Sequence, residues 1–235
     1  MPAWDRRTAT TARARPAGTW PSGPFDALLG LCAPPACWDC GARARPREPL
    51  CLRCRGRLRW LDADPVRLAG IDAWAPVAYD GPARALVGGL KFRGAVGLAD
   101  PMAAQIAASA PPALLRPPAL LVPVPLHPRR ARARGYNQAE RLAAALARRT
   151  GMRVADCLRR RGPAGGRQVG RGRGERLVAL AGSIERRPDA SVPERVLLVD
   201  DVITTGGTVA ACAEALHASG ATDVAAVAYA LTPGR

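Results

Sequence analysis

Lysine is almost missing from this chain. Lys91 is the only one among 235 residues, so arginine carries nearly all of the positive charge behind the net +16. Aromatic residues are also scarce, at 4% of the composition, which weakens the case for a surface that binds single-stranded nucleic acid strongly by base stacking. No run of about 18 apolar residues occurs, so neither a transmembrane helix nor membrane insertion is expected. Residues 1–24 contain arginine but no apolar stretch of the kind a secretory signal needs. They read as a disordered leader, with the cytoplasm as the default compartment. No Gly-Lys-Ser/Thr closes a glycine loop, which excludes a P-loop, and the absence of Gly-x-Gly-x-x-Gly excludes a dinucleotide fingerprint.

What is present is unevenly placed. From Pro128 to Arg187 there are 17 arginines against four acids (Glu140, Asp156, Glu175 and Glu185), a net of +13. Coding bias toward Ala, Arg, Gly and Pro accounts for a general arginine excess, but less readily for its concentration in one segment. Such a block suits a polyanion, either nucleic acid or a pyrophosphate.

The chain divides by character. After the leader, Phe25–Leu31 can form a short helix. A Pro- and Cys-rich unit and a compact linker follow, giving a small module over residues 25–70. From Ile71 the pattern changes. Residues 73–79 read as a strand, 82–90 and 97–110 as helices, and 119–125 as a buried strand. Residues 137–150 read as an Ala/Leu helix and 152–158 as a further strand. A Gly/Arg loop occupies about 159–175, Arg195–Asp201 is a buried strand, 207–220 a helix ended by Gly220, and 224–231 a last strand. Strands alternating with helices imply an α/β domain over 71–235, with a parallel sheet flanked by helices on both faces.

Cys37 and Cys40 form one C-x2-C knuckle and Cys51 and Cys54 another, with ten residues between. Four thiolates match the tetrahedral preference of a structural Zn²⁺. Arg43, Arg45, Arg47, Arg53, Arg55 and Arg57 flank them and favour thiolate over thiol. Two disulfides, free thiols or iron are the alternatives. A closed four-thiolate site is structural, so no catalysis is assigned to it. Cys32 is a spare, and Cys157 and Cys212 sit in apolar contexts that suit core residues.

The stretch RVLLVDDVITTGGT, residues 195–208, carries the chemistry. Four apolar residues run into Asp200 and Asp201, then into Thr204, Thr205, Gly206, Gly207 and Thr208 before a helix. Glycines admit positive φ and bring backbone N–H groups close to a ligand. Hydroxyls add donors, and the helix start adds about half a positive charge. The two carboxylates cannot face the same phosphate, so ribose hydroxyls are their natural partners. The combination describes a ribose-phosphate site at the carboxyl end of a parallel strand; the plain alternative is a βα turn with a capping threonine.

This stretch resembles the motif by which phosphoribosyltransferases bind 5-phosphoribosyl-1-pyrophosphate (PRPP). The resemblance implies that Asp200 and Asp201 take the ribose hydroxyls and that Thr204, Thr205, Gly206, Gly207 and Thr208 take the 5′-phosphate. The order of the other stretches is a four-cysteine unit, LKFRG (90–94), VPVPLHPRRARARGYNQAERLA (122–143) and RQVGRGRGERLVALAGSIE (167–185). Over residues 28–232 this order resembles the ComF family, phosphoribosyltransferase-like proteins associated with DNA uptake in natural competence. The expected fold is then a phosphoribosyltransferase-like parallel sheet with a small N-terminal zinc-binding module.

The resemblance makes Arg129, Arg130, Arg132 and Arg134 candidates for pyrophosphate, which arginine forks bind bidentately. It makes Gln168, Arg173 and Arg176 part of a mobile loop that closes over the reacting centre, against the alternative of a solvated basic loop. Here Arg171 and Gly172 replace the family's apolar-Ser pair, and Ala179 stands at an Asn position. His127 either donates a hydrogen bond or shapes the turn, Asn137 either caps a helix or points to the site, and Lys91 and Arg93 contact phosphate or form a polar turn.

The implied activity is displacement of pyrophosphate from ribose C1, with Mg²⁺ on the PRPP oxygens and the protein positioning and stabilising charge. A non-catalytic protein that handles single-stranded DNA is the rival, and a regulatory PRPP sensor a third. A DNA-uptake motor protein is an expected partner of the competence reading, and homo-oligomer formation stays open.

Overall fold

The computed structural model describes residues 35–116, 119–161 and 183–233. The leader, the expected helix at 25–31, Cys32 and the loop residues Gln168, Arg173 and Arg176 lie outside the described residues. The elements in chain order are α1 (Leu52–Gly56), β1 (Val66–Leu68), β2 (Ile71–Trp74), β3 (Val77–Ala78), α2 (Gly81–Phe92), a 3₁₀ turn (Val96–Leu98), α3 (Ala99–Ser109), β4 (Leu120–Pro123), α4 (Pro128–Arg134), α5 (Gln138–Thr150), β5 (Leu158–Arg160), β6 (Ile184–Arg186), β7 (Arg195–Ile203), α6 (Gly207–His217) and β8 (Asp223–Leu231).

The expected α/β architecture is what the chain adopts. A six-stranded sheet has the order β1-β2-β8-β7-β4, with β3 also beside β8. All of its pairings are parallel except β1 with β2. Strand residues alternate between two cores. Leu121, Leu197, Val199, Val227 and Tyr229 pack on the face covered by α2, α3 and α5. Val122, Val196, Leu198, Val224 and Ala226 pack on the face covered by α6 and the β5–β6 ribbon. Both faces are dry, which is why Val196–Val199 reads as an unbroken apolar run.

Three local expectations change. The strand expected over 73–79 is split into β2 and β3 at Ala75-Pro76, because proline has no N–H to give to a ladder. The strand expected over 152–158 shrinks to a single parallel bridge between Val154 and Leu121. The chain then turns to bury Cys157 and Leu158 against the α6 face, and β5 starts only at Leu158. The arginines expected on a loop after β4 stand instead on α4. Pro128 sits in its first turn, His127 Nδ1 accepts from the Arg129 N–H at 3.2 Å, and Gly135 ends it at φ 76°. These are a proline start, a side-chain cap and a left-handed stop, and alanine and arginine between them are good helix formers.

The cysteine unit is not a separate bead. Cys37, Leu50, Cys54 and Leu58 are buried in the same core as α2 and α3, and β1, from the linker behind that unit, pairs with β2.

Candidate functional site

The chain leaves β4 toward one side, through α5 to the bridge at Val154, and returns as β7 on the other side before α6 leads to β8. The sheet order reverses between β4 and β7, and ligands of open α/β sheets bind in the crevice at such a point. β4 ends with Pro123 opposite Val199, and the Val124 N–H still reaches the Val199 carbonyl at 2.9 Å. β7 runs on to Ile203. Asp200 and Asp201 therefore lie inside a strand, not at its end as the sequence suggested, but on the stretch whose β4-side neighbour has stopped.

Period 2 sends the two acids to opposite faces. Asp200 follows Val196 and Leu198 toward α6, where its charge raises the thiol of buried Cys212, second to burial itself. Asp201 follows Leu197 and Val199 toward α2, and its side chain is only 2% exposed. Lys91 Nζ, from the last turn of α2, lies 3.1 Å from Asp201 Oδ1. The chain's one lysine is thus the counter-ion of the buried acid, a role that neither reading of LKFRG foresaw. Asp201 Oδ2 is buried with no hydrogen-bond partner, and such atoms call for an occupant. Asp200 Oδ1 accepts from the Asp201 N–H at 2.8 Å. Burial first, and then the Asp201 charge, hold the Asp200 carboxyl well above the usual carboxylate range, with Lys91 opposing them.

The loop after β7 leads into a helix start that no side chain caps. Thr204 and Thr205 are exposed, and Gly206 is buried at φ 77° as the residue that starts α6. No side chain caps α6, so its first N–H groups face outward with the helix dipole behind them. A Cβ on Gly206 would come within 2.4 Å of Leu68 Cδ2. Gly206→Ala therefore carries a clash on top of the left-handed cost of about 1–2 kcal/mol. It should lower the thermal midpoint, and Leu68→Ala should restore the clash share but not the backbone share, as calorimetric scanning will read.

The four pyrophosphate candidates separate. Arg129, Arg130 and Arg132 are exposed on α4. Arg134 is engaged elsewhere, donating to Gln138 Oε1 at 2.6 Å with its guanidinium 5.1 Å from the Phe92 ring centre. Arg160 of β5, not singled out from the sequence, joins the others. Burial and then the Arg130 charge push its guanidinium below the usual range, and its buried Nε has no partner. Among the described residues neither Arg130 nor Arg160 forms an ion pair, so their positive charges lie close enough to act on each other without a carboxylate between them. Burial, then Arg160 and the α4 arginines, push His127 down, which keeps it neutral as the acceptor that caps α4. Asn137 proves to be a cap, accepting from the Ala139 N–H at 3.0 Å while donating to the Val124 carbonyl.

The sulfurs of Cys37, Cys40, Cys51 and Cys54 all lie within 4.8 Å of one another. Cys40 Sγ and Cys51 Sγ are 3.7 Å apart, against about 3.8 Å for the edge of a tetrahedron with 2.3 Å Zn–S bonds. Covalent S–S bonds are about 2.05 Å, and the four thiols are free. The cluster fits zinc. Burial raises Cys37, but N–H groups of Cys40, Cys51 and Asp39 outweigh it and hold the thiol at about 6, while burial pushes the Cys54 thiol up, so a metal has to displace the Cys54 proton on binding. Among the described residues no second cluster of three metal-binding side chains occurs, and no helix is long and apolar enough to cross a membrane.

No family model and no curated protein matches the chain. Among solved structures it is similar to the orotate phosphoribosyltransferase from Aeropyrum pernix, at 21% identity and a TM-score of 0.35 over 75% of this chain and 76% of that one. It is also similar to the allosteric regulatory enzyme of purine biosynthesis, at 19% identity and a TM-score of 0.36 over 59% of this chain, and it spans 25% of that enzyme's length.

Proposed function

We propose that this chain binds PRPP with Mg²⁺ and transfers or holds its phosphoribosyl group, as its likeness to the ComF family implies. The observation that carries this reading is the buried, unpartnered Oδ2 of Asp201 a few residues before an uncapped helix start. One end accepts a hydroxyl proton and the other donates to a phosphate, which is the polarity of a ribose 5-phosphate. Asp201 accepts from a ribose hydroxyl through the oxygen that Lys91 leaves free. Asp200 serves the second hydroxyl from the other face of the strand. The Thr204–Thr208 loop holds the 5′-phosphate.

At the opposite end Arg130 and Arg160, with Arg129 and Arg132 on α4, take the pyrophosphate. Charge-assisted hydrogen bonds of this kind contribute roughly 1.5–3 kcal/mol each. They gain strength as the bond at C1 breaks and charge moves onto the leaving group. A nucleophile forms the new bond at C1 and pyrophosphate leaves with the electron pair. Mg²⁺ supplies charge neutralisation. The donor set would be oxygen from the ligand together with Asp200, which unlike Asp201 has no ion pair among the described residues, and hard oxygens suit this ion.

Calorimetry is the test. PRPP should bind only with Mg²⁺ present, and Asp200→Asn with Asp201→Asn should abolish the heat. Unchanged binding in that variant sinks the assignment.

A second reading has its own support. Phe92 is 76% exposed under Arg134, and Arg93 lies 5.9 Å from the Trp38 ring centre. Arginine-paired aromatics beside a basic helix are a stacking surface for single-stranded DNA, in line with a role in DNA uptake beside a motor protein. If it is used, DNA affinity should fall steeply with salt, with a slope that drops by about one for each α4 arginine removed. A flat salt response rejects it.

A further inference from the structure

We propose that Trp38, between the two cysteines of the first knuckle, positions Lys91 against Asp201, so that the four-cysteine unit sets the geometry of the ribose end of the site. The inference takes its ligand from the phosphoribosyl reading, but its geometry stands without it.

The last turn of α2 is a junction. Gly89 abuts the Trp38 ring so closely that a Cβ there would lie 2.9 Å from Trp38 Cε3 and 2.7 Å from Leu98 Cδ1. The Leu90 carbonyl accepts the Tyr136 hydroxyl. Lys91 reaches Asp201. Phe92 lies under Arg134, and the Arg93 guanidinium lies over the Trp38 ring. Five consecutive residues thus tie the cysteine unit, α4, the turn into α5 and the site acid to one helical turn.

Trp38 is itself held at both ends. Its backbone N–H donates to the Pro49 carbonyl at 3.0 Å, the Cys37 N–H to the Ala42 carbonyl at 2.8 Å, and the Gly41 N–H to the Cys37 carbonyl at 2.9 Å. Asp39 next to it pairs with Arg57 at 3.3 Å. With its backbone so held, the ring lies against Gly89 and acts as a stop for that backbone, and Lys91 is two residues along. Without the stop, a backbone shift of about 1 Å stretches the 3.1 Å Lys91–Asp201 contact past hydrogen-bonding range. Displacements of that size cost up to about a hundredfold in positioned chemistry. Trp38 touches no reacting atom, so it is a positioning residue acting through Lys91.

The single lysine makes the test direct. In metal-loaded, full-length protein labelled with ¹⁵N,¹³C-lysine, one side-chain signal reports Lys91. Trp38→Ala, with its zinc retained, should move that signal to the position of free lysine, while Trp38→Phe should leave it near wild type. In parallel, Trp38→Ala should weaken PRPP binding about 3- to 30-fold, the range of indirect coupling, and add less than about twofold in a Lys91→Met background.

An unmoved lysine signal, or fully multiplicative effects in the double variant, overturns the proposal. Should Trp38→Ala fail to fold, Gly89→Ala pushes the same two groups apart from the helix side, and an unmoved signal there overturns it equally. A lysine signal that moves in a protein that binds no PRPP supports the positioning role and removes the phosphoribosyl reading instead.

Discussion

Stripping the metal from the four-cysteine unit, or replacing Cys37 by Ser, will unfold residues 35–58 and loosen the α2 face beneath them. Metal analysis should return about one zinc per chain in the wild type and none in the variant. The reason is the small stock of side chains in the unit. Its buried members are Cys37, Ala44, Leu50, Cys54 and Leu58, and α1 is five residues long. Turns, a bridge between Ala36 and Arg43 and ion pairs such as Arg55–Glu48 at 3.1 Å cannot replace a core, because partly exposed pairs of that kind contribute about 0–1 kcal/mol. A structural Zn²⁺ supplies roughly 10–16 kcal/mol, comparable with the whole stability of a domain at about 5–15 kcal/mol. Tryptophan fluorescence will follow the change, since Trp38 lies between two of the ligands. A metal-free protein with unchanged Trp38 emission refutes the site.

The parallel sheet and the ends of its main helices were legible in the sequence because periodicity and glycine or proline punctuation act locally. Val196–Val199 reads as a strand buried on both faces, and the Ala/Leu helix read over 137–150 stops where α5 does, with Gly151 following it at φ 72°. The cysteine spacing predicted four convergent sulfurs because a knuckle is a local structure. What did not show was anything set by the fold as a whole. Asp200 and Asp201 are adjacent in sequence, yet strand alternation separates them. Lys91 and Asp201 are 110 positions apart, and no local signal connects them. Arg160 read as one arginine of many, and only the packing of β5 against the α6 face brings it to Arg130. The α4 helix was missed because Pro-Arg-Arg looked like a loop, although Pro128 with Gly135 seven residues later was a usable helix signal.

Lys91→Met will destabilise the protein by about 3–5 kcal/mol, the usual cost of removing one partner from a buried ion pair. At about 2–4 °C per kcal/mol for a chain of this size, the thermal midpoint should fall by on the order of 10 °C. Burial decides the magnitude, because the Asp201 and Lys91 side chains are 2% and 18% exposed, and solvent does little to screen the carboxylate left behind. The loss should depend on pH through Asp200. Its carboxyl already sits above the usual range from burial and the Asp201 charge, and Lys91 is what pulls it down. A raised carboxyl keeps its proton in the folded state at pH values where the unfolded chain, near 3.9, has released it. Stability then falls as pH rises across that window. Removing Lys91 widens the window, so the deficit of Lys91→Met should be smallest at acid pH and grow toward neutrality. Asp201→Asn in the same chain should restore most of the midpoint, because the unpaired charge has gone, while PRPP binding does not recover. A deficit that is flat with pH and unrelieved by Asp201→Asn would mean that Lys91 contributes its hydrocarbon stem to α2 packing and not its charge to the site.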